Sequence, residues 1–278
     1  MTKESTEVAV LSDDSKLLQT LGLDEAQLLE DLESSQSDFG ATDITIPFLR
    51  VLQQLSPQVT KGKTEYIPEA SAGMLINTAS KEVFDGEKGI IIIPCKYQSR
   101  YIEWRPRSKG GGLVRDFGSD ASAALSHVAM TGEKGQQLTA EGNEIVRSYQ
   151  YWAIIVDEET GRFEQVVLSL ASTQAKKSKD WNYVISGRTH TLESGKTVNL
   201  AKWPHWFSYR LSTAMESNDM GSWYGVKIQP AGVTAGLVNG PAIFEAAKNF
   251  RELIEAGKVK AAAENVHGAD EDTQDSPF

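Results

Sequence analysis

Lys96-Tyr97-Gln98-Ser99-Arg100-Tyr101-Ile102-Glu103-Trp104-Arg105-Pro106-Arg107 interleaves bases with aromatic rings. The run before it, Gly89-Ile90-Ile91-Ile92-Ile93-Pro94-Cys95, is apolar throughout and reads as a strand buried on both faces. At the period of two that a strand imposes, Lys96, Arg100 and Trp104 share one face. Tyr97, Tyr101 and Arg105 share the other. Either face presents rings beside cations. Single-stranded nucleic acid requires that chemistry: rings stack under bases, worth roughly 1–3 kcal/mol per base, while cations track the phosphates. The competing reading is a two-sided sheet strand with one aromatic face in the core and snorkelling bases outside. Both readings stay open, as does the choice of face.

Working downstream, Lys109-Gly110-Gly111-Gly112 reads as a hairpin tip. It lacks the Gly-Lys-Ser/Thr ending of a nucleotide-binding loop. A short helix is expected over 121–130, then a polar loop over 132–142. Glu144 to Val156 is a long strand carrying Tyr149, Tyr151 and Trp152, and Phe163 to Leu170 is its return. The carboxylates of Asp157, Glu158 and Glu159 sit at the hairpin tip between them. Adjacent tip positions do not converge, so a solvated turn is expected rather than a metal site. Ser172 can cap a helix to about Ile185 bearing Lys176, Lys177, Lys179, Trp181 and Tyr183. Lys176, Lys179 and Tyr183 share a face, so this helix is read either as a phosphate-contacting element or as a solvated surface helix with Trp181 inward. Lys202 to Leu211 is expected as a second aromatic–basic strand, with Trp206 and Tyr209, returning through Ser222 to Ile228. His205 is expected to be structural. Ile243, Ala247, Phe250 and Ile254 form an apolar helical stripe after Pro241, to be docked on the body or on a second subunit.

Upstream, Met74-Leu75-Ile76 and Glu82-Val83-Phe84 read as strands. Ile44, Ile46 and Phe48 alternate like a strand, while Phe48, Val51, Leu52 and Leu55 also fit a helical face. Four segments follow: an acidic, Leu-rich 1–40; a β-rich core over 41–231; a linker and amphipathic helix over 232–258; and a disordered acidic tail over 259–278. Leu17, Leu18 and Leu21, then Leu28, Leu29 and Leu32, could present a docking face for a partner or a homodimer.

The net charge of −10 argues against nucleic acid until it is mapped. Residues 1–40 carry −8, residues 261–278 carry −5, and residues 41–260 carry +3. Salt screens surface potential over about 8 Å at physiological ionic strength, so a basic groove on the body is compatible with acidic ends. One cysteine, Cys95, excludes an internal disulfide, and Cys/His spacing offers no metal site. No nucleophile elbow, zinc-binding His pair or dinucleotide glycine pattern occurs, so no catalytic residues and no cofactor are expected. No signal peptide or membrane-length apolar run is seen, and a cytoplasmic protein is expected.

The tail Asp270-Glu271-Asp272-Thr273-Gln274-Asp275-Ser276-Pro277-Phe278 ends in a ring beside the terminal carboxylate. It resembles the C-terminus of bacterial and phage single-stranded DNA-binding proteins, departing at Ser276 where the bacterial tail usually carries an aliphatic residue. Ile46-Pro47-Phe48-Leu49-Arg50 and Tyr101-Ile102-Glu103-Trp104-Arg105-Pro106 resemble tailed-phage proteins of the same kind. The resemblance implies an OB-fold-like barrel, here α+β, mainly antiparallel, enlarged by helices and long hairpins. It implies sequence-tolerant binding of single-stranded DNA in phage replication or recombination, within the host cytoplasm. It further implies that Asp270, Glu271, Asp272, Asp275, Pro277 and Phe278 recruit replication or recombination proteins and compete with DNA. Two other classes stand beside it: a structural or adaptor protein of a phage particle or replication complex, and a strand-annealing recombination protein.

Overall fold

A computed structural model describes residues 44–262 except 134, 219 and 220, together with Ala26, Glu30 and Gly40. The expected Leu-rich docking helices and residues 263–278 of the expected tail therefore lie outside the described residues, whereas Lys260–Ala261, expected within that disordered tail, forms a strand paired with Thr45–Ile46. The described residues from Ile44 to Ala262 form one compact unit.

The strands, in chain order, are β1 (Thr45–Ile46), β2 (Phe48–Val51), β3 (Leu75–Asn77), β4 (Val83–Phe84) and β5 (Ile90–Trp104). Then come β6 (Leu113–Asp116), β7 (Met130–Thr131), β8 (Gln137–Leu138), β9 (Glu144–Val156) and β10 (Phe163–Leu170). The last are β11 (Thr189–Thr191), β12 (Thr197–Asn199), β13 (Phe207–Asn218), β14 (Gly221–Val233) and β15 (Lys260–Ala261). Three helices, α1 (Ala121–Ser126), α2 (Ala175–Ser186) and α3 (Gly240–Glu255), join them. Pro47 does not start a helix: Phe48 to Val51 is a strand, paired with both β3 and β10.

The main sheet runs β14-β13-β5-β9-β10-β2-β3-β4 and curls into a half-barrel. It is mixed rather than wholly antiparallel, because β2 lies parallel to β10. A separate parallel pair joins β1 to β15. β5 and β9 form the spine. Alternation along β9 sends Tyr149, Tyr151, Ala153 and Ile155 to the concave face, and Trp152, Ile154 and Val156 to the convex one. Both sets are buried, because a helix covers each face. On the convex side α3 lays Ile243, Ala247, Phe250 and Ile254 against Ile91, Ile93 and Trp152. The apolar stripe is thus satisfied within this chain. Burying each large side chain contributes roughly 1.5–3 kcal/mol. Gly257 takes the left-handed conformation (φ 66°) just past the helix end. The 232–258 segment therefore belongs to the same fold as the strands it follows.

On the concave side α2 plugs the curl with Trp181, 3% exposed. Its start differs from the sequence expectation. Ser172 has φ 47° and opens a short 3-10 turn with no side-chain cap; α2 begins at Ala175. Tyr151 holds the helix down. Its hydroxyl lies 2.9 Å from Asn182 Oδ1, 3.0 Å from the Ser178 carbonyl and 2.7 Å from the Ser178 hydroxyl. Burial pushes the Tyr151 pKa up, so the phenol stays a donor.

β14 is an edge strand, and its open side is blocked by side chains. Gln53 donates from Nε2 to the Tyr224 carbonyl (2.9 Å) and accepts from the Tyr224 N–H at Oε1 (2.8 Å). Gln174 Oε1 accepts from the Val226 N–H (3.1 Å). Pro230, further along the same side, has no N–H to offer. The loop before β3 comes so close that a Cβ on Gly73 (φ 92°) would lie 2.6 Å from the Tyr224 ring. This seam brings one end of the sheet back to β2 without a strand-to-strand ladder.

Candidate nucleic-acid interface

The concave face carries two groups of rings. The first is closed. Trp181 lies 4.2 Å from Tyr151 and 5.4 Å from Tyr209, measured between ring centroids. Tyr209 is 1% exposed and Tyr151 is fully buried. Trp181 and Tyr209 therefore offer no face to a base. They are core because helical spacing turns Trp181 inward with Ser178, and because Tyr209 precedes Leu211 by two on the inward side of β13. Lys177 is also committed: it pairs with Glu216, which accepts from Trp223 Nε1 as well (3.0 Å).

The second group is partly open, with Tyr149 as its buried floor. It lies on β5 and β9 where they run beyond α2. Their register sets Tyr97 opposite Tyr151, Ser99 opposite Tyr149, and Tyr101 opposite Arg147. All share the concave face. The Arg147 guanidinium lies 4.9 Å from the Tyr149 ring centroid and 5.8 Å from that of Tyr101. Arg147 itself is exposed and Tyr101 half-buried. Tyr97 packs against Tyr151 in a tilted arrangement, 5.2 Å between ring centroids. Its pKa is raised by burial, against the opposing pull of Arg147, so it too stays neutral. Ser99 places little bulk between the two tyrosines. Asn182, which accepts from Tyr151, lies one helical turn from Lys179, so α2 forms the wall of this patch. Lys176, Lys179 and Tyr183 are exposed on the outer side of α2, with Tyr183 81% exposed.

The convex face of the same strand has its cations paired with carboxylates. Lys96 Nζ lies 2.7 Å from Glu255, which Arg251 also engages at 2.7 Å. Arg100 makes a two-pronged contact with Asp116 at 3.0 and 2.7 Å. Lys96 and Arg100 are thereby held on carboxylates, and Ile102 between Arg100 and Trp104 is buried. Trp104 is half-buried and Arg105 exposed where the chain enters an arm spanning 105–143. Arg107 lies in the 3-10 turn of that arm. The Lys202–Leu211 stretch is a strand only from Phe207, since Pro204 opens a 3-10 turn. Lys202 is exposed ahead of that turn. Trp206 is half-buried within it, 5.6 Å from His190 and 5.7 Å from Phe244.

His205 is buried beside Trp203 (5.5 Å) and Phe244 (5.2 Å). Its pKa falls to about 4, chiefly because burial penalises the imidazolium. Cys95 is buried, and desolvation pushes its thiol up, away from nucleophilic character. No cluster of ligating side chains that could hold a metal occurs among the described residues. No helix among them is long and apolar enough to cross a membrane.

A family model described as Pam3 phage gp34-like protein matches residues 21–260. The chain belongs to the Pam3 phage gp34-like family. No curated protein and no solved structure matches it. The gp34-like match covers the whole sheet, α2 and α3, and stops before the acidic tail. Within this gp34-like fold the residue that sequence reading passed over is Arg147. It is the single cation in the strand Glu144–Val156, next but one to Tyr149. That isolation among apolar neighbours was the available signal.

Proposed function

We propose that this protein binds single-stranded DNA without sequence preference, as a non-catalytic component of phage DNA replication or recombination. The observation that carries the reading is the half-buried patch of Tyr97, Ser99 and Tyr101 with the exposed Arg147 beside it, floored by the buried Tyr149. Rings there can take bases in sequence-tolerant stacking, and the exposed guanidinium can serve either a base face or a phosphate. Lys179 and Lys176 on α2, with Arg105, supply further phosphate contacts. The half-barrel, plugged by a helix and extended by the arm, is read as an enlarged relative of the OB fold. The acidic tail, through Phe278, would recruit replication or recombination proteins and compete for the same basic patch.

A second reading, an adaptor protein, draws on the exposed Leu113, Val114, Leu125 and Met130 of the arm and its surroundings. Tryptophan-fluorescence titration with a single-stranded oligonucleotide at several salt concentrations separates the two. Saturable binding whose log affinity falls linearly with log salt, at about 0.7 per phosphate contacted, is the expected result. No binding at low salt, with residues 264–278 removed as well, would overturn the reading in favour of the adaptor.

A further inference from the structure

The outer edge of β5 changes partners along its length. β13 pairs with it only at Ile90–Ile92. At the far end the Tyr101 N–H donates to the Gly118 carbonyl (2.8 Å) and the Tyr101 carbonyl accepts from Phe117 (2.9 Å). Both Tyr101 groups therefore point away from β9. In an antiparallel ladder this direction alternates, so residues two apart share it. The β5–β9 register is unbroken from Lys96 to Trp104. Ser99 and Tyr97 accordingly also turn their N–H and C=O outward. Cys95 follows beyond the bulge, and its carbonyl is taken by Arg251 Nη1 (2.8 Å). Between Cys95 and Tyr101, no strand among the described residues pairs with this edge.

We infer that this gap, the backbone N–H groups of Tyr97 and Ser99, is a phosphate-binding rail of the nucleic-acid interface. The inference rests on the proposed function and deepens it. The two donors stand on the same residues whose side chains form the stacking face, so one extended strand can meet donors and rings together. The charge around the gap suits an anion. Lys96 and Arg251 share the single carboxylate of Glu255, which leaves one positive charge in excess. Arg100 is balanced by Asp116, and Arg147 adds its charge from the concave side. Backbone donors carry no base preference, in keeping with sequence-tolerant binding.

Proline tests this directly. Its missing N–H costs nothing to the ladder where that N–H faces outward, and Pro94 already lies on the same strand. Ser99→Pro should fold, by circular dichroism, and bind an oligothymidylate of about 16 nucleotides about tenfold more weakly. Ser99→Ala, which loses the side chain but keeps the N–H, should bind severalfold more tightly than Ser99→Pro. Amide hydrogen exchange on the wild-type protein gives an independent readout should Ser99→Pro fail to fold. Tyr97 and Ser99 should exchange fast alone and be slowed severalfold by saturating oligonucleotide. A folded Ser99→Pro with wild-type affinity, or unprotected amides in a demonstrably bound protein, overturns the rail while leaving the stacking face intact. The edge would then be free to take an extended peptide. Absence of binding by the wild type overturns both.

Discussion

Two ring clusters share the concave face of one sheet, and a single helix separates their fates. Trp181, Tyr151 and Tyr209 lie under α2 and are sealed. Tyr97 and Tyr101 are half-buried at its margin, and Arg147 rather than a helix lies over Tyr101 and the buried Tyr149. The chemistry of the two sets is nearly the same. What differs is the cover, and cover decides whether a ring stabilises the fold or can receive a base. Aromatic content in a β-rich chain therefore says little about binding until the helices are placed.

The comparison breaks most visibly at Trp181. Trp181→Ala should cost about 3–5 kcal/mol and lower the melting temperature by about 10 °C or more. A differential scan that moved by only a degree or two would mean α2 is not the plug. Next comes the open cluster. Tyr101→Ala combined with Arg147→Ala should weaken single-stranded DNA binding roughly ten- to hundredfold while the melting temperature stays within a few degrees. Equal affinity would reduce the open cluster to surface decoration. The smallest effect lies outside both clusters, at His205. Its folded pKa, about 4, is below the ordinary 6.5. The unfolded chain thus takes up this proton first, and stability falls as pH drops from about 6.5 toward about 4. His205→Phe should flatten that part of the stability–pH curve in denaturant titrations and leave DNA affinity at pH 7 unchanged. A curve that keeps its slope would assign the acid sensitivity to other groups.

Much of the fold was legible. Four isoleucines in a row cannot alternate in and out of water, and Ile91, Ile92 and Ile93 are buried with both faces of the strand covered. The helical stripe from Ile243 to Ile254 docked as its spacing demands. The strands Glu144–Val156 and Phe163–Leu170 were readable from their length and the acidic turn between them. The site was less legible, for a physical reason. Whether Arg100 is available depends on Asp116, and whether Lys96 is depends on Glu255, 159 positions away. Local spacing holds no information about such partners. Which tyrosines face the concave side depends on the irregularity between Pro94 and Lys96, which shifts the register of everything after it. The inward turn of Trp181 follows from where α2 lands, which is a tertiary fact. Lys202 and Trp206 were placed on a strand although Pro204 lies between them, and the turn it opens leaves each on a different footing.

The seam between Gln53 and Tyr224 has a mechanical corollary. Around the rest of the sheet, neighbouring strands are laced by ladders that resist shear collectively. Here the closure rests on the Gln53 amide and its two hydrogen bonds, on Gln174, and on Thr213 of β13, which donates to the Gly73 and Gly86 carbonyls. Under load, or in a thermal fluctuation, this is the line along which the curl would part first. Releasing it means breaking the Gln53, Gln174 and Thr213 contacts, with no strand pair to unzip. The half-barrel is thus stiff along its staves and more compliant along this seam.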